Sequence, residues 1–407
     1  MTKIDIDYDK NFLHVKNLKK VLLVATGRTG SDFFQSLLDS HTQILHFTGQ
    51  WFFHQWWQGA KCKNNVNDLI NEFIWFTSPT CNHIAKFKSY YNTLERWDKL
   101  GDAKNDSFEV DIEAFRNHML NIFSGRELNS QNFFLAINLA YGMATKINIC
   151  NTKILFYHLH QPDKLAAFKE EFSDFDVITM VREPRNTFVS GIENWKKYNI
   201  ETRNVSSYKS YFLYFTITRI FEGAEPILRY TKNIKSIKLE DLHLYPEIVM
   251  KEFCGEYGLK YDDCLLLSTY HGKKWWGDEI SGKYLDGFSN NVTKMKWAGK
   301  LSFYDNYLIE YLLGSRLKHY GYDHKNKLQF ISLVISLFLI FLPMKYEIKI
   351  MLYNLKSSKN FIDFSREMAR GILYYLFRVR LYMHFAKKRV RNSIYLENYY
   401  TKDIVKR

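Results

Sequence analysis

A short turn near the N-terminus has the residue types that bind a phosphate group. It consists of Gly27, Arg28, Thr29, Gly30 and Ser31 in succession. The glycines let the backbone bend tightly and approach an anion, the hydroxyls can donate hydrogen bonds, and the arginine is permanently charged. If the turn opens a helix, the N–H groups and dipole at the helix start also favour an anion. The segment is therefore a candidate phosphate loop, and a simple strand-to-helix turn with an exposed arginine is the alternative.

This turn differs from the loop of nucleoside triphosphatases. That loop, GxxxxGK[ST], needs a lysine for the β- and γ-phosphates and an adjacent hydroxyl for magnesium. Here Asp32 follows Ser31, and no lysine lies in the turn. The pattern predicts a nucleotide that is used without magnesium.

An arginine and a serine farther along the chain predict a second anion site. Arg182 follows an apolar run, Pro184 is suited to open a helix, and Ser190 lies eight residues after Arg182. An arginine can hold a phosphate through two hydrogen bonds, and a serine adds one directed bond. An arginine that pairs with surface carboxylates is the alternative. The two segments together favour a nucleotide that carries phosphates at both ends.

Strands that alternate with helices would bring these segments together. Short apolar runs typical of buried parallel strands are KKVLLVA (19–25), TKILFYH (152–158), DVITMV (176–181) and IKSIKLEDL (234–242). Helical patterns begin near Gly30, after the turn at Arg182 and at Pro246. This alternation predicts an α/β fold with a mainly parallel sheet flanked by helices, and with ligands bound at the carboxyl ends of the strands. The aromatic stretch 50–130 is expected to form helices that cover the site.

These segments resemble motifs of the PAPS-dependent sulfotransferase family. ATGRTGSDFFQSLLDSH resembles its 5′-phosphosulfate loop, VREPRNTFVSGIENW its 3′-phosphate motif, and IKLEDLHLYPEIVMKEFCGEYGL the strand and helix that follow. They occur in the family's order within residues 19–320. The resemblance implies a P-loop-like fold, 3′-phosphoadenosine 5′-phosphosulfate (PAPS) as the sulfuryl donor, and no metal. The donor-binding residues it implies are Gly27, Arg28, Thr29, Gly30, Ser31, Asp32, Arg182 and Ser190.

The chain departs from the family pattern at two places. Related bacterial enzymes with this loop often carry a glutamate shortly after the first helix, where this chain has Gln50, which cannot act as a base. The Arg-Lys-Gly sequence around which the family's third nucleotide-binding segment is built does not occur in this chain. Its nearest counterpart is SNNVTKMKWAGKLS (289–302), in which Lys294 and Lys296 offer positive charge.

Histidines at the end of the second predicted strand are candidates for a general base. An acceptor hydroxyl needs a base near neutral pH, which suits histidine. His158 and His160 would share one face of the strand, and the His-Gln-Pro sequence that begins at His160 resembles the family's catalytic spacing. Arg28 is expected to act on the charge that develops on the leaving group. Structural histidines are the alternative, and His54 is a rival base.

The overall composition excludes several classes of protein. The 407 residues are 46% hydrophobic and 17% aromatic, which excludes a disordered chain. Five scattered cysteines without a CxxC pair argue against a disulfide framework and a structural zinc site. The N-terminal 20 residues contain no apolar run, so no signal peptide or N-terminal anchor is expected. These features predict a cytoplasmic protein.

The chain changes character near residue 325. Residues 1–325 are predicted to form the sulfotransferase domain, and residues 326–407 a helical, basic extension. The uncharged stretch 328–344 has 17 residues, whereas a membrane span needs about 20. Residues 345–407 account for +10 of the net charge of +14. We therefore expect a peripheral extension on the inner, anionic face of a membrane, with no nucleic acid as partner. A solvated basic helix beside a core segment is the alternative.

These features favour a metal-independent sulfotransferase that moves a sulfuryl group from PAPS to a hydroxyl or amine. The expected acceptor is a glycan or a lipid-linked saccharide. A small-molecule kinase with a P-loop fold is one rival, and the missing lysine and the Arg182–Ser190 pair oppose it. A catalytically silent membrane-binding relative is the other rival, which the intact motifs oppose.

Overall fold

A parallel sheet forms the centre of the molecule. The computed structural model describes residues 6–48, 52–60, 64–77, 99–108, 110–201, 217–231, 234–277, 287–292, 294–323, 330–390 and 400–401. The strands are β1 (Lys19–Val24), β2 (Ile44–His46), β3 (Ile154–Leu159), β4 (Phe175–Val181), β5 (Ile234–Lys238), β6 (Thr269–Tyr270), β7 (Lys273–Lys274) and β8 (Tyr400–Thr401). Five of them form the parallel order β2-β3-β1-β4-β5. The short β8 adds to the outer edge of β5, and β6 pairs with β7 antiparallel.

Helices lie along both faces of this sheet and continue to the C-terminal region. They are α1 (Tyr8–Asn17), α2 (Ser31–Leu38), α3 (Phe53–Gly59), α4 (Val66–Thr77), α5 (Ile112–Ile122), α6 (Ser130–Ala144), α7 (Leu165–Glu171), α8 (Pro184–Glu201), α9 (Glu225–Leu228), α10 (Leu239–Leu244), α11 (Pro246–Glu256), α12 (Phe303–His319), α13 (Phe330–Ile340), α14 (Lys345–Ser357) and α15 (Phe361–Val390). The predicted α/β fold with a helical C-terminal extension is confirmed.

The two faces of the sheet bury separate cores. Side chains alternate along a strand, so Val21 and Leu23 of β1 enter one cluster while Leu22 and Val24 enter the other. All four are fully buried. Burial on both faces explains why this strand reads as a continuous apolar run rather than as an alternating pattern.

The order of the strands creates a crevice beside β1. The chain runs from β1 to β2 and β3 on one side, and to β4 and β5 on the other. The carboxyl ends of β3, β1 and β4 therefore lie side by side, at the point where the direction of the sheet reverses. Open α/β sheets bind ligands at such a point.

The predicted strand 234–242 is wrong in its second half. β5 ends at Lys238, and α10 begins at the next residue. Glu240 and Asp241 stand in the first turn of α10, where negative charge is favoured by the helix dipole. The alternating apolar pattern of residues 234–242 did not reveal this change of backbone conformation.

The C-terminal helices share a buried cluster with the preceding region. Tyr382 and Phe385 of α15 and Ile340 of α13 belong to the same cluster as Leu308 and Leu312 of α12. The division at residue 325 remains a prediction. Residues 331–353 are long and apolar enough to cross a membrane, by length and composition only, and this is the one such stretch within the described ranges.

Candidate active site

The backbone of the predicted phosphate loop requires its glycines. Gly27 and Gly30 both have φ near 90°, and Arg28 between them has φ near 49°, which lies in the left-handed region. A Cβ atom on Gly30 would lie 2.5 Å from Leu239 Cδ1. Helix α2 begins at Ser31, and no side chain caps its first turn. The loop therefore presents backbone N–H groups at a helix start, as an anion site needs.

The two predicted anion-binding segments lie in contact. Arg182 follows β4, which pairs with β1, and its Nη1 donates to the carbonyl oxygen of Arg28 at 3.2 Å. Arg28 Nε in turn donates to Ser190 Oγ at 3.4 Å. The buried Thr29 Oγ1 and Arg182 Nε have no hydrogen-bond partner within the described part of the chain. Together these residues could donate several hydrogen bonds to one anionic ligand.

A carboxylate fixes the start of the helix that carries Ser190. Glu183 accepts hydrogen bonds from the Asn186 N–H at 2.7 Å and from Arg185 Nε at 2.5 Å. The Glu183 N–H donates to Glu240 Oε1 at 3.0 Å, and Glu240 Oε2 accepts from the Tyr322 hydroxyl at 2.9 Å. Arg185, which belongs to the sequence motif, is thus a structural residue. This network holds the backbone that immediately follows Arg182.

Asn186 holds the third predicted segment against this helix. Its Nδ2 donates to the Lys294 carbonyl, and its Oδ1 accepts from the Trp297 N–H, both at 3.2 Å. Lys296 lies between these two contacts and is close enough to Arg182 for the two charges to interact. The Lys294 side chain is exposed, and its carbonyl makes the contact. Lys296 therefore joins the cationic group, while Lys294 anchors the segment through its backbone.

The positive charges at this edge act on one another. Burial lowers the pKa of Arg182, Glu240 opposes that shift, and Arg28 adds to it. Burial lowers the pKa of Lys296, and the charge of Arg182 lowers it further. Burial, Arg182 and Lys296 lower the pKa of His243 to about 4, so this imidazole is neutral at pH 7. Cations that depress one another's pKa favour an anionic ligand, which would relieve their repulsion.

Arg219 is a further cation at this edge that the sequence did not reveal. It lies on the helical segment 217–222 and lines a cavity together with Gly27, Thr29 and Arg182. A Cβ atom on Gly27 would lie 3.7 Å from Arg219 Cβ. Burial lowers the pKa of Arg219 to about 10, although Asp163 and Glu222 oppose the shift. No recognisable motif surrounds this residue, so only the folded chain shows its position.

The two candidate bases differ in their surroundings. His158 is buried, and its Nδ1 lies 2.8 Å from Gln35 Oε1 and 3.8 Å from Asp32 Oδ1. Gln35 Nε2 donates to the Phe47 carbonyl at 3.4 Å, so its oxygen faces the imidazole and His158 Nδ1 is the donor. His160 follows the end of β3, is half-buried, and has its ring centroid 4.4 Å from that of His158.

Donor atoms of Asp32, His158 and His160 lie within 4.8 Å of one another. Two histidines and a carboxylate are suitable ligands for a transition metal. The same three groups can instead hold and move a proton, since histidine titrates near neutral pH. The cluster is therefore a candidate for either role.

The rival base His54 is enclosed in the core. It is 2% exposed, its Nε2 lies 3.1 Å from Glu171 Oε2, and rings of Phe53, Phe134 and Phe168 surround it. These contacts explain its presence by packing. Gln50, the departure from the family pattern, lies outside the described residues.

Aromatic rings adjoin the cationic group. Phe33 stacks on His243, with centroids 4.7 Å apart and planes 6° from parallel, and Phe288 meets Phe33 edge-on at 5.4 Å. Phe33 and Phe288 are half-buried. Such rings can pack against a planar base.

Comparison with known proteins identifies the class to which this fold and site belong. The model of the sulfotransferase domain matches residues 18–298, more than half of the 407 residues, so the chain belongs to the sulfotransferase family. Similar solved structures include the sulfotransferase domain from the curacin biosynthetic pathway, with 13% identity, a TM-score of 0.39, and coverage of 78% of this chain and 96% of that one.

A second solved structure is the sulfotransferase domain from the Synechococcus PCC 7002 olefin synthase. It has 13% identity and a TM-score of 0.38, and the match covers 69% of this chain and 88% of that one. A sequence search among curated proteins found no match. The family assignment therefore rests on the domain model, which includes both anion-binding segments.

Proposed function

We propose that this sulfotransferase moves a sulfuryl group from PAPS to a hydroxyl or amine of a glycan or lipid-linked saccharide. The observation that carries the proposal is the contact of Arg182 with Arg28, and of Arg28 with Ser190. It joins two anion sites that are 154 residues apart in the chain. PAPS carries a 3′-phosphate and a 5′-phosphosulfate, so it requires two such sites in one crevice.

The loop residues would bind the 5′-phosphosulfate. In the transfer, the acceptor atom attacks sulfur, and the bond between sulfur and the bridging phosphate oxygen breaks with its electron pair left on the phosphate. Arg28 and Thr29 lie in the loop just before α2, whose first turn has no side-chain cap, and the buried Thr29 hydroxyl has no partner among the described residues. Donors fixed in advance stabilise such developing charge strongly.

The second site would bind the 3′-phosphate. Arg182, Ser190 and Lys296 supply its charge and hydroxyl, and Arg219 adds a cation on the side of Gly27. The adenine ring would pack against Phe33 and Phe288, because both are half-buried and adjoin His243 next to Arg182.

His160 is the proposed general base. It follows the carboxyl end of β3 and is half-buried, whereas His158 is buried and bonded to Gln35. Neutral His160 would accept the proton that the acceptor loses as the new sulfur–oxygen or sulfur–nitrogen bond forms. His158 would be a positioning residue, since its ring packs on that of His160.

Calorimetry with two nucleotides tests the donor assignment. Adenosine 3′,5′-bisphosphate should bind far more tightly than adenosine 5′-monophosphate, because only the former reaches both anion sites. Equal affinities would contradict the two-site arrangement. Incubation with PAPS labelled on sulfur and a panel of glycans and lipid-linked saccharides should then yield a labelled product.

The proposal includes transfer without a metal, and the Asp32, His158 and His160 cluster allows a direct test. Sulfuryl transfer should be unchanged after removal of metals by a chelator. Loss of activity that Mg²⁺, Mn²⁺ or Zn²⁺ restores would contradict the metal-free reaction. Phosphoryl transfer from ATP with magnesium would instead favour the kinase rival.

A further inference from the structure

The C-terminal helices expose many apolar side chains. Of the 26 large hydrophobic residues that are exposed within the described ranges, 16 lie between residues 331 and 377. They belong to α13, α14, α15 and the short turn after α13. Phe338 is 67% exposed, Leu373 63% and Phe361 80%. We call these 16 residues the apolar face. Large exposed apolar patches mark sites of interaction with proteins or membranes.

Contacts between the helices make this face continuous. A Cβ atom on Gly371 of α15 would lie 3.4 Å from Met351 Sδ, so α14 crosses α15 closely at this point. The exposed Leu352 and Ile372 are the next residues on the two helices. At the other side, the Tyr375 hydroxyl donates to the Phe341 carbonyl. Exposed residues of all three helices therefore meet around the middle of α15.

Basic residues flank the apolar centre of α15. Arg366, Leu373, Arg380 and Lys387 follow at intervals of seven residues and are all exposed. Seven residues are nearly two helical turns, so these side chains lie along one line, each about 10 Å from the next. A helix with an apolar centre and basic residues on the same exposed side is typical of helices that lie in the lipid headgroup region.

A buried ion pair prevents the apolar stretch from being one straight span. Helix α13 ends at Ile340, and α14 begins at Lys345. Arg378, which is fully buried, donates to the Ile340 carbonyl at 2.6 Å and bonds Glu347 through its Nε at 2.9 Å. Glu347 Oε2 also accepts from the Met344 N–H at 2.9 Å.

Straightening residues 331–353 into one helix would break these bonds. It would leave the guanidinium of Arg378 and the carboxylate of Glu347 without their partners in an apolar environment. Separating a buried pair of this kind is strongly unfavourable. The break between α13 and α14 is thus a fixed part of the fold, and it favours a hairpin that lies at a surface over a helix that crosses a bilayer.

We propose that the apolar face inserts into one leaflet of an anionic lipid bilayer, with α15 parallel to the surface. Charge complementarity favours lipid over a second copy of the chain. Residues 345–407 carry a net charge of +10, so two copies would bring like charges together around the same apolar centre. An anionic bilayer would attract Arg366, Arg380 and Lys387 while it accepted the apolar side chains between them.

Flotation with sealed vesicles tests this surface in the full-length protein. The protein should float with vesicles of phosphatidylcholine and phosphatidylglycerol, and salt should weaken this binding only in part. Leu373→Glu should reduce the bound fraction at least tenfold. Leu13→Glu is the matched control, since Leu13 is also helical and is 58% exposed, outside the apolar face. Both variants should keep the helical circular dichroism and nucleotide affinity of the parent.

Three outcomes would overturn the proposal. The first is equal flotation of the Leu373→Glu variant and the parent protein. The second is failure to bind vesicles together with dimerisation that Leu373→Glu abolishes, which would assign the face to a second copy. The third is cleavage by trypsin sealed inside the vesicles, with inhibitor outside, because only a segment that crosses the bilayer would be cut.

Replacement of Arg366, Arg380 and Lys387 by alanine should weaken binding to the anionic vesicles by roughly fivefold per residue.

Discussion

Two regions of this molecule bury arginine in opposite ways. Arg378 in the C-terminal helices is fully buried and bonds Glu347 and the carbonyls of Ile340 and Leu342. Burial alone would lower its pKa, but the bond to Glu347 and its charge raise the pKa overall. At the sheet edge, burial lowers the pKa of Arg182, the charge of Glu240 opposes that shift without overcoming it, and the neighbouring Arg28 adds to it.

This difference distinguishes an arginine that stabilises the fold from an arginine that is available to bind a ligand. An arginine with a carboxylate and carbonyl partners stabilises the fold and has little capacity left for a ligand. An arginine beside other cations, with a buried donor still unpaired among the described residues, makes the unliganded fold less stable and favours an anion. Under the proposed function, arginine stabilises the packing of the C-terminal helices at position 378 and would bind the nucleotide at position 182.

The largest effect should come from replacing the proposed base His160, and it should be a loss of turnover without a loss of nucleotide affinity. His160→Ala should lower turnover about 10²–10⁴-fold, because the acceptor would lose its proton acceptor. The affinity for adenosine 3′,5′-bisphosphate should stay close to that of the parent protein. Steady-state rates and calorimetry measure the two quantities. If His158→Ala is the more damaging change, the roles of the two histidines are reversed.

Arg378→Met should produce the largest loss of stability. It leaves the Glu347 carboxylate buried without its partner, so the free energy of unfolding should fall by about 3–5 kcal/mol. Urea denaturation measures this change. The double variant Arg378→Met with Glu347→Met should recover much of the loss, since it removes both charges. Weaker nucleotide binding by the folded single variant would contradict a purely structural role.

The sequence predicted the sheet edge well, because local patterns determine it. Apolar runs followed by Gly27 and by Arg182 identified two strands, and parallel strands align their carboxyl ends. The contact of Arg28 with Ser190 follows from that geometry. Glu183 and Asn186 were not recognised, since their roles depend on Glu240 and on the segment 294–297, which are distant in the chain.

The C-terminal region was less predictable from the sequence for a different reason. The uncharged stretch 328–344 has one set of side chains in the core, such as Ile340, and another set exposed, such as Phe338. Hydropathy does not separate the two sets. The helix break itself has a sequence signal, because Pro343 lies between α13 and α14 and has no N–H to continue a helix. The pairing of Arg378 with Glu347, which are 31 residues apart, leaves no such pattern.

Arg182→Met should reduce nucleotide affinity more than stability, whereas Arg378→Met should reduce stability alone. Affinity for adenosine 3′,5′-bisphosphate should fall by about 2–4 kcal/mol, because a charged partner is lost. Affinity for adenosine 5′-monophosphate should change little. The loss of stability should be smaller than for Arg378→Met, because Arg28 and Lys296 repel Arg182 while Glu240 attracts it. Arg366→Met, at an exposed position of α15, is the control for loss of charge alone. Lower stability without any change in binding would remove the contrast between the two regions.

The smallest effect is a fractional uptake of protons when the nucleotide binds. Burial lowers the pKa of Arg219 to about 10, and burial with Arg182 lowers that of Lys296. A bound anion stabilises the protonated forms and raises both pKa values toward their usual range. Near pH 10, binding should therefore take up part of a proton, and affinity should weaken as the pH rises toward 10. The nucleotide phosphates are fully ionised there, since their second pKa is about 6.

Calorimetry in two buffers of different ionisation enthalpy measures this uptake. At pH 7 Arg219, with a pKa of about 10, is already protonated, so it should contribute no uptake. Arg219→Gln and Lys296→Gln should each reduce the uptake at pH 10, whereas Lys387→Gln in α15 should not, because it lies outside the site. The lowered pKa of Arg219 also makes the stability of the unliganded protein depend on pH. Between about pH 10 and the usual arginine pKa, the folded protein binds fewer protons at this residue than the unfolded chain does. The unliganded protein should therefore gain stability as the pH rises through this range. Proton release on binding at pH 10 would show that these cations do not face the nucleotide.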